Sequence, residues 1–427
     1  MFGSIWNKFK KDKSILIFYL GIFLLPSAFA ISAFLLLTAS IIGFKKRKEL
    51  FLKDKFNLSF LISGFLMIIS CIVQSINYRN SEFLNWSPFL SWIGLGNWLP
   101  FFLVTWGFQS YLTTQEQRRN CALALLAGSV PVLFTGIGQV FFDLHGPLEI
   151  FDGFIIWYSR PLENNVLTGL FNNPNYAGAW LNIVLPISFA FLIKKESSLR
   201  RIISLIFFIL IIFCIILTNS RSAWIGLLAS TLLFFGKKSF KWLIPLCMLI
   251  SILILTSIIN DQFNLIPLET LNEFKNFQYL DRLDIWTTSI QIIIKNPLFG
   301  SGASSFNEIY QNISGLNKFH SHNLALNLFI SYGIPAALFT ILPIIILIFL
   351  SISKISQIKI TSNYLIERAL ITSLMIILLI HMVDIQYFDG RISIAIWILI
   401  AAIRNILLED FYNKNLLNKQ GTNSNGN

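Results

Sequence analysis

Charged residues are scarce in this chain. Lys, Arg, Asp and Glu make up 13% of the 427 residues, whereas about a quarter of the residues in a soluble domain are charged. Hydrophobic residues make up 55%, and the mean hydropathy is +0.67. Apolar runs recur along the whole chain, and each approaches the roughly 20 residues that a helix needs to cross a bilayer. The composition therefore excludes an ordinary soluble protein, and the runs predict an all-α polytopic membrane protein.

Cysteines are few, and a nucleotide-binding motif is missing. The four cysteines, Cys71, Cys121, Cys214 and Cys247, lie singly within apolar runs, so they indicate neither a disulfide framework nor a metal site. The sequence contains no Gly-rich phosphate loop of the Walker type. Its absence makes an ATP-driven pump improbable.

Basic residues outnumber acidic ones, and membrane orientation explains the excess. The run 14–44 contains Pro26 and has lysines on both flanks, which predicts two helices that turn near this proline, with both flanks in the cytoplasm. Ten further spans bring the predicted number to about twelve and leave both termini cytoplasmic. This arrangement puts 25 of the 33 Lys and Arg residues on the cytoplasmic side, so the net charge indicates no nucleic-acid partner. The ten spans are predicted at about 56–78, 89–111, 121–142, 176–194, 201–218, 222–236, 241–260, 333–352, 365–382 and 391–408.

The predicted organisation is one membrane domain, residues 1–412, with a disordered cytoplasmic tail, residues 413–427. The longest outer segment covers about 261–321, and loops of that length commonly carry function. Within it, residues 281–295 predict an amphipathic helix that lies over a cavity, with Leu283, Trp286, Ile290 and Ile293 on its apolar face.

Arginines and histidines on the predicted outer face are the candidates for chemistry. Arg221 lies in a very short turn between two spans, Arg282 begins the amphipathic helix, and His322 ends the outer segment. Each also has a structural explanation: an arginine can bind lipid head groups or pair with a neighbouring carboxylate, and a histidine can be buried and satisfied. His320 and His322 are two residues apart, on different faces of a predicted helix, so we predict no metal site.

Taken together, these three side chains fit one chemistry. Arginine presents a planar fork that matches phosphate oxygens. A histidine that is neutral near pH 7 can accept a proton from a hydroxyl nucleophile. Two arginines and one histidine at a membrane surface therefore suit a reaction on a phosphate-bearing lipid.

Four segments, in their order and spacing, resemble motifs of the O-antigen ligase family. The likeness is close from about 165 to 350 and elsewhere is limited to topology. The segments are 169–177 (GLFNNPNYA), 220–224 (SRSAW), 282–286 (RLDIW) with 296–302 (NPLFGSG), and 322–326 (HNLAL) with 333–335 (GIP).

The resemblance implies a fold and a reaction. The fold would be a GT-C-like bundle in the inner (plasma) membrane, with a long helical periplasmic loop. The reaction would transfer a glycan from undecaprenyl pyrophosphate to an acceptor hydroxyl on the periplasmic face, with inversion and with no metal or other cofactor. The acceptor would be a lipid core, a protein or another lipid-linked glycan. The implied base is His322, and the implied pyrophosphate ligands are Arg221 and Arg282; weaker candidates for substrate contacts are Asn172, Asn175, Asn323 and Arg160.

Other functions remain open at this stage. A ligase and a polymerase share the architecture and differ in the acceptor. A membrane transporter of a small anion such as bicarbonate is the main alternative, because the break near residues 333–335 is typical of transporter helices. A scaffold for envelope assembly is a third candidate. The sequence shows no internal repeat and few charges within spans, which favours the transferase over a transporter.

Overall fold

The computed structural model describes residues 12–77, 86–152, 155–158, 166–194, 197–239, 278–358 and 364–424, with positions 241, 245, 248 and 360. Within these residues the chain forms fifteen α-helices and one short hairpin. The helices are α1 (Lys13–Leu24), α2 (Phe29–Phe51), α3 (Lys55–Asn77), α4 (Phe89–Gly94), α5 (Leu99–Gln109), α6 (Gln115–Gly128), α7 (Val130–Phe142), α8 (Pro174–Ile193), α9 (Ser198–Leu217), α10 (Arg221–Phe235), α11 (Gln278–Lys295), α12 (Phe306–Ser314), α13 (Leu324–Gln357), α14 (Leu365–His381) and α15 (Gly390–Ser424). The hairpin pairs β1 (Leu148–Ile150) with β2 (Ile155–Trp157) in antiparallel register.

Eight segments of the described chain are long and apolar enough to cross a membrane, judged by length and composition. Two further helices, α1 and α10, are apolar but shorter. This helical architecture confirms the predicted class of a polytopic helical membrane protein, and the β1–β2 hairpin is a small exception to an all-α fold. The predicted span 241–260 lies almost entirely outside the described residues, so the number of twelve stays a prediction.

Proline and glycine account for the differences between predicted and observed boundaries. The run 14–44 is two helices that turn at Pro26, as predicted, and α2 extends to Phe51. The run 121–142 is broken at Ser129, since Pro131 lies in the first turn of α7 and cannot continue the hydrogen bonds of α6. The run 89–111 is likewise divided into α4, a 3₁₀ turn and α5, where Pro100 lies in the first turn.

Helix α8 lies at the centre of the bundle, where the helices packed around it cover most of its surface. Most residues of α8 are buried, whereas α9, which is more apolar, is largely exposed. The more apolar helix is thus the more exposed one, as expected when the solvent for the outer surface is lipid. Helix α8 packs against α6, α9, α10, α14 and α15.

A buried ion pair joins three helices at the end of the bundle away from the residues 321–323. Arg118 lies between the predicted spans 89–111 and 121–142, but its side chain is 1% exposed and donates to Glu367, also 1% exposed, and to Glu409. Nearby, the Arg368 guanidinium donates to carbonyl oxygens at the ends of α10 and α13. These contacts satisfy carbonyl groups that a helix end leaves without partners. More charge is therefore buried in the bundle than the sequence indicated.

Helix α11 packs on α12 and α13 through a face that overlaps only in part with the predicted apolar face, since Trp286 and Ile293 pack there half-buried. Ile285 and Ile292 are buried against Phe306, Ile309, Tyr310 and Ile330. Leu283 and Ile290, also predicted on the apolar face, are 53% and 49% exposed. Both pairs are seven residues apart, so helical spacing alone could not distinguish the two apolar faces.

The loop after α11 is fixed to a break in α13. At Gly333 the backbone has φ 84° and ψ 169°, and the amide of the next residue, Ile334, donates to the Pro297 carbonyl at 2.7 Å. The amide of Ser301 donates to the Ile330 carbonyl, also at 2.7 Å. A side chain at Gly333 would overlap the backbone of Leu298. The break in α13 is therefore a docking point for the α11–α12 segment, which explains it without a transport function.

We expect Gly333→Ala to lower stability more than Gly315→Ala. Both glycines have positive φ, 84° and 72°, so alanine is strained at either position by about 1 kcal/mol. A β-carbon at Gly315 meets open space, whereas one at Gly333 meets the backbone of Leu298. Thermal unfolding in detergent measures the difference, and equal melting temperatures for the two variants would contradict this account of the docking point.

Candidate functional site

Three helices begin at one end of the bundle, and a side chain caps each of them. Asn173 accepts a hydrogen bond from the Asn175 amide at the start of α8 (2.8 Å). Ser220 accepts from Ala223 at the start of α10 (3.4 Å), and Asn323 accepts from Leu326 at the start of α13 (3.1 Å). Gly178 of α8 lies against Ala223 of α10, with no room for a side chain. Because helix N-termini carry partial positive charge, this end favours an anionic ligand.

His322 and Asp384 form a hydrogen-bonded pair between the starts of α8 and α13. The Nδ1 atom of His322 lies 2.9 Å from Oδ1 of Asp384. An ionised carboxylate only accepts hydrogen bonds, so the proton belongs on Nδ1 and the lone pair of a neutral ring lies on Nε2. The His322 side chain is 27% exposed and that of Asp384 is 9% exposed. The pair can therefore be approached from the imidazole.

Asp384 is held by several neighbours and is the centre of the site. Its Oδ2 accepts from Asn175 Nδ2 at 3.0 Å and from Gln386 Nε2 at 2.8 Å, and its Oδ1 also accepts from the Ile385 amide at 3.0 Å. Burial acts to raise the pKa of this carboxyl, but the hydrogen bond from His322 and the electrostatic contributions of His322, His320 and Arg282 outweigh it. The pKa of Asp384 therefore lies below its usual value, and the group is an anion at neutral pH.

His320 lies beside His322, contrary to the expectation that the two rings would point apart. They lie in the loop before α13, not on a helix, and His322 adopts a left-handed conformation with φ 52°. Nδ1 of His320 accepts from the His322 amide at 3.2 Å, and the ring centroids are 4.3 Å apart. Burial, then the electrostatic contributions of His322 and Arg282, lower the pKa of His320 to about 4. His320 is therefore neutral at physiological pH.

The two histidines and Asp384 each have a ligating atom within 4.8 Å of the others, so the reason given for predicting no metal was wrong. A metal bound between His322 and Asp384 would replace their hydrogen bond. All of these atoms already have protein partners, apart from the Nε2 atoms. The prediction of no metal stays a prediction.

The arginines predicted to bind phosphate lie at this same end. Arg282, in the first half of α11, is half-buried and interacts electrostatically with His320 and Asp384. Arg221, also half-buried, is the first residue of α10, whose first turn packs on Gly178 one turn from Asn175. Arg160 lies outside the described residues.

The three candidate asparagines differ in their surroundings. Asn323 caps α13 and also donates from Nδ2 to the Met382 carbonyl at 3.1 Å, which joins the loops that carry His322 and Asp384. Asn175 donates to Asp384. The Oδ1 atom of Asn172 is buried and receives no hydrogen bond within the described part of the chain. Asn323 and Asn175 therefore position the histidine–aspartate pair, while Asn172 has an unused acceptor.

Sequence reasoning missed Asp384 and Asn219. Asp384 belongs to a short polar segment, 384–391, between the apolar runs of α14 and α15, and this interruption was the available signal. Asn219 has φ 51° and directly precedes the cap of α10; both polar atoms of its side chain are buried without a partner in the described residues. Nothing in its sequence context distinguishes Asn219 from an ordinary turn residue.

Comparison with known proteins agrees with these motifs. Residues 206–341 match the model of the O-antigen ligase family, and this region contains Arg221, Arg282 and His322. The chain is also 26% identical over 386 residues to a ComP-specific O-oligosaccharyltransferase of Acinetobacter baylyi. Residues 206–341 are thus similar to the O-antigen ligase family.

The likeness to this relative extends beyond the family region. The alignment covers 84% of this chain and 65% of the relative, so the chain spans about two thirds of that protein's length. The region that matches the family ends before Asp384 and begins after Asn175. The hydrogen bonds of these two residues to the site therefore come from the structure and not from the family match.

The low pKa of His320 predicts a loss of stability in acid that depends on this residue. As the pH falls below about 6.5, the unfolded chain binds a proton that folded His320 does not bind until about pH 4. Stability therefore declines across that range. In His320→Asn this contribution is removed, while the amide oxygen can still accept from the His322 amide.

The measurement is thermal unfolding of both proteins in detergent at about pH 7.5 and about pH 5. We expect the melting temperature to fall less in His320→Asn than in the wild type on acidification. An equal fall in the two proteins would show that His320 is protonated as readily in the folded protein as in the unfolded one.

Proposed function

We propose that this protein is a glycosyltransferase that moves a glycan from undecaprenyl pyrophosphate to an acceptor hydroxyl. The acceptor is a lipid core, a protein or another lipid-linked glycan. The observation that carries the proposal is the 2.9 Å contact between His322 Nδ1 and Asp384 Oδ1, beside Arg282 and at the start of three helices. The similarity of residues 206–341 to the O-antigen ligase family and the oligosaccharyltransferase relative support the same reaction class.

In this proposal His322 is the general base. Its Nε2 takes the proton of the acceptor hydroxyl as the oxygen attacks the anomeric carbon of the donor sugar, and the bond from that carbon to the pyrophosphate breaks. Attack from the side opposite the leaving group inverts the configuration. Asp384 keeps the proton on Nδ1 and stabilises the imidazolium that forms. Asn175, Gln386 and Asn323 hold this pair in place.

The leaving group is an anion, and the site offers positive charge. Arg221 and Arg282 would bind the pyrophosphate oxygens, and the N-termini of α8, α10 and α13 would add their partial charges. Asn172 would contact the glycan, and Asn219 could donate to either ligand. Because His320 is neutral, it adds no positive charge beside the base, His322.

The proposed location is the inner membrane, with both termini in the cytoplasm and the site on the periplasmic side. The distribution of Lys and Arg supports this orientation. In the same proposal, residues 1–412 act as one membrane domain, and catalysis needs no metal, because the base and the charge that stabilises the leaving group are both provided by side chains.

Replacement of either member of the pair should abolish most transfer. Loss of a general base lowers a rate by about 10²–10⁴-fold, which we expect for His322→Asn. Asp384→Asn should lower the transfer rate by a similar factor of about 10²–10⁴, because an amide NH₂ next to Nδ1 of His322 favours the tautomer whose Nε2 carries a proton. That tautomer cannot accept the proton of the hydroxyl at Nε2.

Transfer of labelled glycan from the lipid-linked donor in isolated membranes measures these rates. His145→Asn is the matched control, since His145 is exposed and its ring contacts Asp143, away from the site; its rate should equal that of the wild type. A chelator should leave the wild-type rate unchanged. Full activity of His322→Asn would remove the proposed base.

The two arginines should need their fork geometry and not only their charge. Lysine keeps the charge but loses one of two hydrogen bonds to phosphate, each worth about 1.5–3 kcal/mol when charged. We expect Arg221→Lys and Arg282→Lys to reduce transfer about 10- to 100-fold. Arg201→Lys, at an exposed position in α9, is the control and should be unaffected. Wild-type rates in the two site variants would contradict a bidentate phosphate contact.

A further inference from the structure

A second feature at the same end of the bundle is a cavity of about 330 Å³. It lies between the α1–α2 turn, the end of β2, the loop before α8 and the loop before α15. The residues that matter here are Ser27, Tyr158, Asn172, Phe388, Asp389 and Arg391. Its volume falls at the lower end of the range for small-molecule sites, which is about 300–1,000 Å³.

The first turn of α8 joins this cavity to the His322–Asp384 pair. Asn175 donates to Asp384, and the next residue, Tyr176, interacts electrostatically with Asp384, Asp389 and Arg391. Arg282, in contrast, interacts with Asp384 and His320. A ligand in the cavity would therefore lie next to the His322–Asp384 pair, on the side of Tyr176 and not on the side of Arg282.

We propose that the cavity binds one neutral sugar ring of a glycan substrate, an inference that rests on the proposed function for the presence of such substrates. The charge of the cavity supports a neutral ligand. Nε of Arg391 donates to both oxygens of Asp389, at 2.9 and 3.2 Å, and the two side chains are 9% and 8% exposed. The Asp389 carboxylate would repel a phosphate, and the Arg391 guanidinium would repel a cation, whereas a hydroxyl can form a hydrogen bond with either group.

Arg391 and Asp389 are held rigidly, as a binding site requires. The guanidinium also donates to the Leu170 carbonyl at 3.1 Å and lies 4.0 Å above the ring centroid of Phe171. The Asp389 carboxylate accepts from the Arg391 amide at 2.9 Å as well. These contacts fix the orientation of both side chains before a ligand arrives, which reduces the entropy lost on binding.

The remaining polar and aromatic groups match the surface of a sugar. Oδ1 of Asn172 is a buried acceptor with no donor in the described residues, and a ligand hydroxyl would supply one. Tyr158 and Phe388 are each 41% exposed beside the cavity. Their rings can pack on the C–H face of a pyranose, while the hydroxyl groups reach Asn172 and Asp389.

Binding of a free glycan tests the cavity without requiring turnover. The probe is the tritium-labelled oligosaccharide released by mild acid from the lipid-linked glycan of the producing cells, added to the full chain in detergent. We expect Asn172→Leu and Tyr158→Leu each to weaken binding by about tenfold. Leu148→Ala changes an exposed residue of the same hairpin that does not line the cavity, and its affinity should equal that of the wild type.

His322→Asn separates this proposal from the proposed reaction. It should bind the probe as the wild type does and yet fail to transfer glycan. No binding by the wild type, or equal binding by the wild type, Asn172→Leu and Tyr158→Leu, would overturn the cavity proposal and leave the reaction intact. Probe binding by a wild type that transfers no glycan would overturn the reaction and support the cavity.

Transfer kinetics of Tyr158→Leu identify the source of the sugar. A KM raised about tenfold for the lipid-linked donor, with kcat little changed, assigns the cavity to the donor glycan. The same rise in the KM for the acceptor assigns it to an acceptor glycan. Unchanged values of both constants would overturn the proposal, because Tyr158 is exposed and its replacement should not disturb folding.

Discussion

The hydrogen bond between His322 and Asp384 joins two loops that are 62 residues apart in sequence. One loop precedes α13 and the other follows α14, and the Asn323–Met382 contact joins the same loops a second time. A carboxylate buried to this degree is stable as an anion only if donors surround it. The donors come from α8, from the His322 loop and from the Asp384 loop itself. One carboxylate thus connects the start of α8 with the loops before α13 and after α14.

Rigid packing elsewhere keeps this arrangement in place. The central helix α8 is buried by its neighbours, and the loop after α11 is fixed to the break at Gly333. At the opposite end, Arg118 and Arg368 tie helix ends together with hydrogen bonds inside an apolar bundle. Where water is excluded, such bonds cannot be exchanged for bonds to solvent. Hydrogen bonds at both ends of the bundle therefore fix the helices whose first residues lie near Asp384.

The functional features divide into a charged part and a neutral part. Arg282 and three helix N-termini provide positive charge near His322, while the Asp389–Arg391 pair presents a cavity with no net charge. A lipid pyrophosphate that carries a glycan has the same division, since its anionic group and its sugars differ in charge. The first turn of α8, with Asn175 and Tyr176, lies between the two parts.

The sequence by itself determined the membrane class, the turn at Pro26 and most helix positions, and it proposed His322, Arg221 and Arg282 for the candidate site, because apolar length, proline and local motifs are properties of neighbouring residues. It did not reveal which face of α11 is buried, since Leu283 with Ile290 and Ile285 with Ile292 have the same spacing. Only the tertiary structure decided that His320 lies beside His322, that Asp384 and Asn175 are near them, and that Asp389 is near Tyr176. Such contacts join residues far apart in the chain, and they arise from the packing of α8, α13 and α14, which no local pattern encodes.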